Sequence, residues 1–546
     1  MLKRATLLFT VAVGCALAQH SHTPEAAATG PAPLLDGLGH MHHAVTTSNP
    51  EAQRYFDQGL TLIYAFNHDE AARSFRYAAL IDPQCAMAYW GVALAVGPNY
   101  NDPDIDLSRE KAAVDAIQKA QAVAGKTTDN ERGYIHALAK RYSTDTKADR
   151  KQLGLDYKQA MGELMRRFPD DLDAAVIYAE SAMDLHPWQL WKPDGQPAEG
   201  TLEIVEVLRG VLQRAPDHIG ANHYYIHATE ASPHPEEATQ SAERLKTLAP
   251  AAGHLVHMPA HTYIRVGDYH AASVANEKGA AADEEYVKKY NITGMYPVMY
   301  YSHNLHFLAV SSSMEGNFSE AHNAAERLVA GMQPYLKENP MAEWFVPTRT
   351  HVLVRFRRWD EIEKLPEPDK NLHLAHTFWL FARGMAYSGT GQAAEAVADR
   401  DALLAESKTI PAETPLGFNT ARNVLDIAAL MLDASIARSR HDNKLAVELL
   451  NKAAQAEDAL NYDEPPDWYL PPRESLGGVL FAEGHPAEAE AVFRAELQAH
   501  PKNPRALFGL AECLKAQGKN QEAAKFRAEF EVGWKYADTK LNMADL

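Results

Sequence analysis

Seven histidines and one glutamate share a repeating spacing. His223 and His227 are four apart with Glu230 three further on, His254, His257 and His261 follow in steps of three and four, and His303 and His306 are three apart. At about 100° per residue on a helix, steps of three, four and seven hold side chains within roughly 60° of one another, so each set presents one face. Neutral imidazole is a common transition-metal ligand, and a pair one turn apart can reach a single ion. Crowding imidazoles is unfavourable on protonation unless something offsets the repulsion, and a bound cation does so. The chemistry implied is binding of a divalent transition metal. Nitrogen donors with a carboxylate suit copper or zinc, with iron as the further option, and their affinity order alone does not choose. Seven histidines exceed one four-coordinate site, so either two ions bind or some histidines orient ligands or touch substrate. Two three-histidine sets would resemble a dinuclear copper centre, whereas Glu230 with histidines suits zinc or non-haem iron.

If the site is catalytic, its candidate bases are carboxylates. Glu230 can ligate the metal or take a proton from bound water, and Glu180 can do the latter from the preceding unit. Tyr224, Tyr225, Tyr263 and Tyr300, the last within "YPVMYY", are candidates to cover the groove and hold a small molecule or peptide. The chain has no glycine-rich phosphate loop, nucleophile elbow or HExxH helix, so nucleotide chemistry and the common metalloprotease route lack support. The competing reading is a non-catalytic scaffold whose polar groove binds a peptide or protein partner, with histidines as hydrogen-bond donors.

The elements that must position these residues are helix pairs. In "PEAQRYFDQGLTLIYAFNHDEAARSFRYAALIDP" the residues Tyr55, Gly59, Leu62, Ala71, Phe75, Ala78 and Pro83 recur at the spacing of the tetratricopeptide repeat, which the segment resembles closely. Small residues let two antiparallel helices approach, Phe75 fills the gap between them, and the proline stops the second helix. Gly477, Ala489, Phe493 and Pro501 repeat the frame, with looser copies between. The resemblance covers most of residues 50–535 and implies an all-α, right-handed superhelical solenoid of antiparallel helix pairs. Its units fall into 46–171, a central histidine-rich group 172–365, and 366–546. In this family, positions 2, 5, 9 and 12 of the first helix line the concave groove, and the resemblance places the histidines there. Aromatic-rich stretches at 186–200 and 286–301 fall outside the 34-residue period and read as insertions on one face. Pro259, between His257 and His261, predicts a kink or a helix start. Were the helix to begin at Met258, His254 and His257 would lie in an approach loop.

The remaining features bound the function class. Lys3 and Arg4, the apolar run to Ala18 and the triplet Ala16-Leu17-Ala18 read as a signal peptide over residues 1–18, with lipidation at Cys15 as a weaker alternative. A periplasmic or secreted location follows. Residues 19–45 read as a flexible lead-in. No other stretch approaches the roughly 18 apolar residues of a membrane span. The net charge of −19 argues against nucleic acid as a partner. Cys85 and Cys513 lie near opposite ends of the array, so neither a disulfide nor a cysteine-based zinc site is expected.

Overall fold

A computed structural model describes residues 32–339 and 341–546; the proposed signal segment lies outside them. The described chain is built of antiparallel helix pairs, starting with Pro50–Tyr64 and His68–Ile81. Asn49 and Asn67 cap these two helices by accepting from Glu51 and Glu70 backbone N–H groups, replacing intrahelical partners missing in a first turn. Phe75 is fully buried between them. A Cβ at Gly59 would lie 2.6 Å from its ring, and one at Gly91, on the next helix, would also collide with it. Phe493 is held the same way by Gly477 and Gly509. Glycine is required at both places because the phenyl group occupies the space a side chain would need, which is the packing the repeat spacing predicts. Among the described residues, strand is confined to a ribbon pairing Pro415–Leu416 with Asn419–Thr420 and two isolated bridges. Among the described residues, no helix is long and apolar enough to cross a membrane, and both described cysteines are buried and unpaired.

The array does not leave its central groove open. The first helix packs against Ile219–Thr229, where the Tyr64 ring fills the space beside Gly220 and meets Tyr224 edge-on at 5.9 Å. From the other end, Trp188 stacks on Phe418 at 5.0 Å, the Arg265 guanidinium lies 5.4 Å from the Tyr462 ring, and Tyr269 donates to the Pro501 carbonyl at 3.1 Å. Residues hundreds of positions apart therefore enclose the central helices.

Three sequence expectations change in detail. Residues 32–45, expected as part of a flexible lead-in, form a strap pinned to the array. Tyr55 donates to the Ala32 carbonyl at 2.8 Å, Ala251 N–H donates to Gly37 at 3.0 Å, and His43 Nδ1 pairs with Asp173 at 2.7 Å. The stretch 286–301 is less an insertion than a continuation. The helix Tyr269–Tyr290 overruns its repeat, and a π-helical turn, Pro297–Tyr301, runs directly into Ser302–Glu315. Pro259 opens the helix Pro259–Val266 immediately after Gly253–His257, yet Met258 between them keeps helical angles (φ −49°, ψ −33°) and donates to the His254 carbonyl at 3.1 Å. A proline at a helical first position loses only an N–H that would be unpaired anyway. His254 and His257 are therefore helical.

Candidate metal centre

Three helical segments, Ile219–Thr229, the Gly253–Val266 stretch and Ser302–Glu315, bring six of the seven histidines together. They form two trios, His223 with His227 and His254, and His257 with His261 and His303, each with one nitrogen per ring within 4.8 Å of the others. Five of the six are buried to 3% exposure or less, and His303 is half-buried.

Four of these rings have their proton placed by what Nδ1 faces. His223 Nδ1 lies 2.6 Å from the Tyr64 carbonyl oxygen. His227 and His261 Nδ1 lie 2.8 Å and 2.5 Å from the two oxygens of Glu230. His257 Nδ1 lies 2.7 Å from Asn276 Oδ1, and that amide is oriented by its own donation to the Ala272 carbonyl at 2.9 Å. All four acceptors lack a hydrogen to give, so Nδ1 carries the proton and, in the neutral ring, Nε2 is left as a bare lone pair.

The lone pairs of His257 and His261 point at one another, Nε2 to Nε2 at 2.9 Å. His254 is different: its Nδ1 faces no acceptor, so its Nε2 carries the proton and donates to the bare Nε2 of His223 at 3.1 Å. His227 Nε2 is buried with no partner. Two imidazole nitrogens on one ion, each about 2.0–2.1 Å from it, sit about 3.3 Å apart at a tetrahedral angle, close to both spacings. Two bare lone pairs 2.9 Å apart repel unless a cation lies between them. A proton on His261 is one such cation, and a metal ion bound by both rings is the other.

The electrostatics favour lone pairs over imidazolium for most of the set. Burial, reinforced by neighbouring imidazoles, pushes His223, His254, His257 and His303 well below the usual histidine range, and burial also lowers His227. His261 moves the other way: burial, the largest single influence, opposes its charge, but Glu230 with Glu464 and Asp463 outweighs it. Burial alone would raise Glu230, yet His261 and His227 hold it down at about 2. Glu230 is therefore an ionised anchor shared by both trios. Each of its oxygens accepts from one imidazole N–H and keeps a second lone pair, and Glu230, His227 and His261 also lie close enough together to hold one ion.

Aromatic rings wall the centre. Phe66 lies 4.5, 5.7 and 5.4 Å from His223, His227 and His254. Phe307 lies 5.4, 5.2 and 5.8 Å from His257, His261 and His303. Trp188 meets His227 at 5.3 Å. Phe66 and Trp188 hold φ of +55° and +59°, a left-handed conformation that costs a residue with a side chain and that clusters at functional sites. Tyr300, on the π-helical turn, meets His254 edge-on at 5.2 Å.

The structure turns several expected residues away from the centre. His306 packs edge-on against Phe345 at 5.8 Å and Tyr469 at 6.1 Å instead of joining the imidazoles. Three residues after His303 it is rotated about 60° and shifted about 4.5 Å along the axis, and together these carry it past the cluster. Glu180 sits in a separate buried group, where burial and then Asp184 push its carboxyl up and Arg141 pairs with Asp184 at 2.6 Å; it faces no imidazole of the centre. Tyr225 donates to Glu237 at 3.2 Å and Tyr263 to Glu243, both on the outer side. Tyr224 touches the centre through its ring, 5.3 Å from His223.

Sequence reasoning missed Asn276, Phe66 and the Tyr64 carbonyl. Asn276 left a trace, a polar residue one turn after the closely packed Ala272 and so on a face expected to be apolar. The other two left none, since they depend on how distant units meet.

Comparison with known proteins supports the repeat and goes no further. Residues 480–527 match the tetratricopeptide repeat family model. No curated protein matches the chain. Among solved structures, a human IFIT1 dimer with m7Gppp-AAAA is similar at 14% identity and a TM-score of 0.32, over 91% of this chain and 92% of that one. The yeast Tom70 structure is similar at 10% identity and a TM-score of 0.29, over 89% and 90%.

Proposed function

We propose that the protein is an exported helical-repeat protein that holds two transition-metal ions, one in each histidine trio, and uses them on a small molecule. The observation that carries this is the convergence of six buried imidazoles in two trios, four of them held by an acceptor on Nδ1 so that Nε2 faces its neighbours. Imidazoles held from behind by a carboxylate, an amide or a backbone carbonyl are what a metal site requires, since those partners fix the tautomer and raise ligand basicity. The burial of the rings favours a small molecule over a peptide, because a peptide backbone would have to displace Phe66, Trp188 or Phe307 to reach them. Elemental analysis of the mature chain, reconstituted with copper, zinc or iron, tests the reading against a variant with His257, His261 and His303 replaced by alanine. Two ions per chain that fall to one or none in the variant support it; no bound metal after any reconstitution overturns it.

A further inference from the structure

We infer that the C-terminal repeats carry a ligand site of their own, a pocket that binds a small carboxylic acid with an apolar body. It lies on elements apart from the histidine trios and does not depend on the metal reading. The helices Thr348–Arg355, His373–Gly389, Ala421–Ser439 and Pro472–Ala482 border a cavity of about 280 Å3, near the lower end of the range for small-molecule pockets. Two stripes at helical spacing face it: Phe381, Met385 and Ser388 from the second of these helices, and Met431, Ser435 and Arg438 from the third. These two helices run in the same direction, because the Leu432 side chain fills the space beside Gly384 while the Ser435 and Ser388 hydroxyls bond each other at 2.8 Å. The stripes are therefore in step. Phe381, Met385 and Met431 form an apolar end, and Ser388, Ser435 and Arg438 a polar one.

The polar end is positively charged in a chain whose net charge is −19. The guanidiniums of Arg355, Arg357, Arg438 and Arg505 line the cavity against the carboxylates of Glu474 and Asp545. Glu474 is shared between Arg355 and Arg505, at 3.2 Å and 2.6 Å, and Asp545 lies 3.3 Å from Arg357. Arg438 pairs with neither and, among the described residues, with no other Asp or Glu; it donates to the Leu546 carbonyl at 3.3 Å, beside the buried Leu546 side chain. Burial and the nearby Arg357 guanidinium push the Arg438 pKa down, so its charge lacks the partner that an anion would supply. An oxygen on this guanidinium with hydrocarbon beside it is the arrangement a carboxylic acid extends. Its oxygens meet Arg438 and the serine hydroxyls, and its chain runs toward Met385 and Met431. In the Ser388–Ser435 pair one hydroxyl proton is left to donate. The volume suits a small molecule better than a length of peptide.

Calorimetric titration of the full chain with octanoate, octanol and inorganic phosphate tests this without any variant. One octanoate per chain is expected, with octanol and phosphate each bound at least about tenfold more weakly, the first for lack of charge and the second for lack of an apolar body. Arg438→Gln should weaken octanoate by about 10–100-fold. Met385→Trp, which fills the apolar end and leaves every guanidinium in place, should abolish binding, with circular dichroism showing that the variant is folded. No octanoate bound to the unchanged chain, or undiminished affinity in either folded variant, would overturn the site. Octanol bound as tightly as octanoate would leave only an apolar cavity, and phosphate bound as tightly only an anion site; either overturns the assignment. A peptide copying residues 541–546 that bound more tightly than octanoate would give the pocket to a peptide and overturn it as well.

Discussion

The two histidine trios are built from the same residue type on neighbouring helices, yet they are supported differently. The first is wholly buried and leans on a backbone carbonyl from the far end of the array, Tyr64, and on Glu230. The second leans on a side-chain amide from the following helix, Asn276, and on the same Glu230, and its third ring, His303, is half-buried. A carbonyl acceptor cannot be removed by substitution, and its position depends on the first helix staying docked; an amide acceptor can be removed singly. The first trio is therefore coupled to the closure of the whole array, and the second to local packing.

That contrast is broken most severely at the residue the trios share. Glu230→Ala leaves two buried imidazole N–H groups without partners, at about 1–3 kcal/mol each, and releases both rings. Calorimetry should show a lowered melting temperature, and metal analysis the loss of both ions. Glu230→Gln sharpens the result, because a glutamine oxygen accepts from only one imidazole while its NH2 group forces the other ring to reverse its tautomer; one ion should remain. Asn276→Ala acts on the second trio alone, and a metal titration should show one site weakened by about 10–100-fold, with the other unchanged.

A smaller effect is expected behind the second trio. Asp283 is buried, receiving hydrogen bonds from Tyr296 and Asn304 at 2.7 Å each, and burial pushes its carboxyl up to about 7 from 3.8. The folded state holds this proton more tightly than the unfolded chain. The stability it contributes is therefore full below about pH 3.8 and is lost as the pH rises toward 7. Melting temperatures should fall less between pH 5 and pH 8 in Asp283→Asn than in the unchanged chain, and an equal fall in both would refute this. The smallest effect belongs to His306→Ala, which should leave the metal content unaltered because the ring lies among aromatics beside the centre.

The repeat frame was legible because its signals are local. Gly59 with Phe75, and Gly477 with Phe493, are short-range rules of helix approach. Helix periodicity put His223 with His227 and His257 with His261, but it also put His254 with the latter pair, where the structure gives it to the first trio. His306 shows where periodicity stops. Two residues on one helical face reach the same point only if the neighbouring helix follows that face, and the crossing of Ser302–Glu315 is set by packing that no single helix encodes. The same limit hid the Tyr64 carbonyl, the Phe66 wall and the approach of residues 418 and 462–464, all of which arise where distant units meet. Glu230 was found as a charged residue in the right place, but its contact with both His227 and His261 depended on how two helices meet.

The most direct test of the two-ion centre is anomalous diffraction from crystals of the metal-loaded chain. The account predicts two peaks, one within about 2.0–2.1 Å of Nε2 of His223 and His227 and of a nitrogen of His254, the other within the same distance of Nε2 of His257 and His261 and of a nitrogen of His303. A loaded crystal with no peak between these rings, or with its metal bound elsewhere on the array, would contradict it.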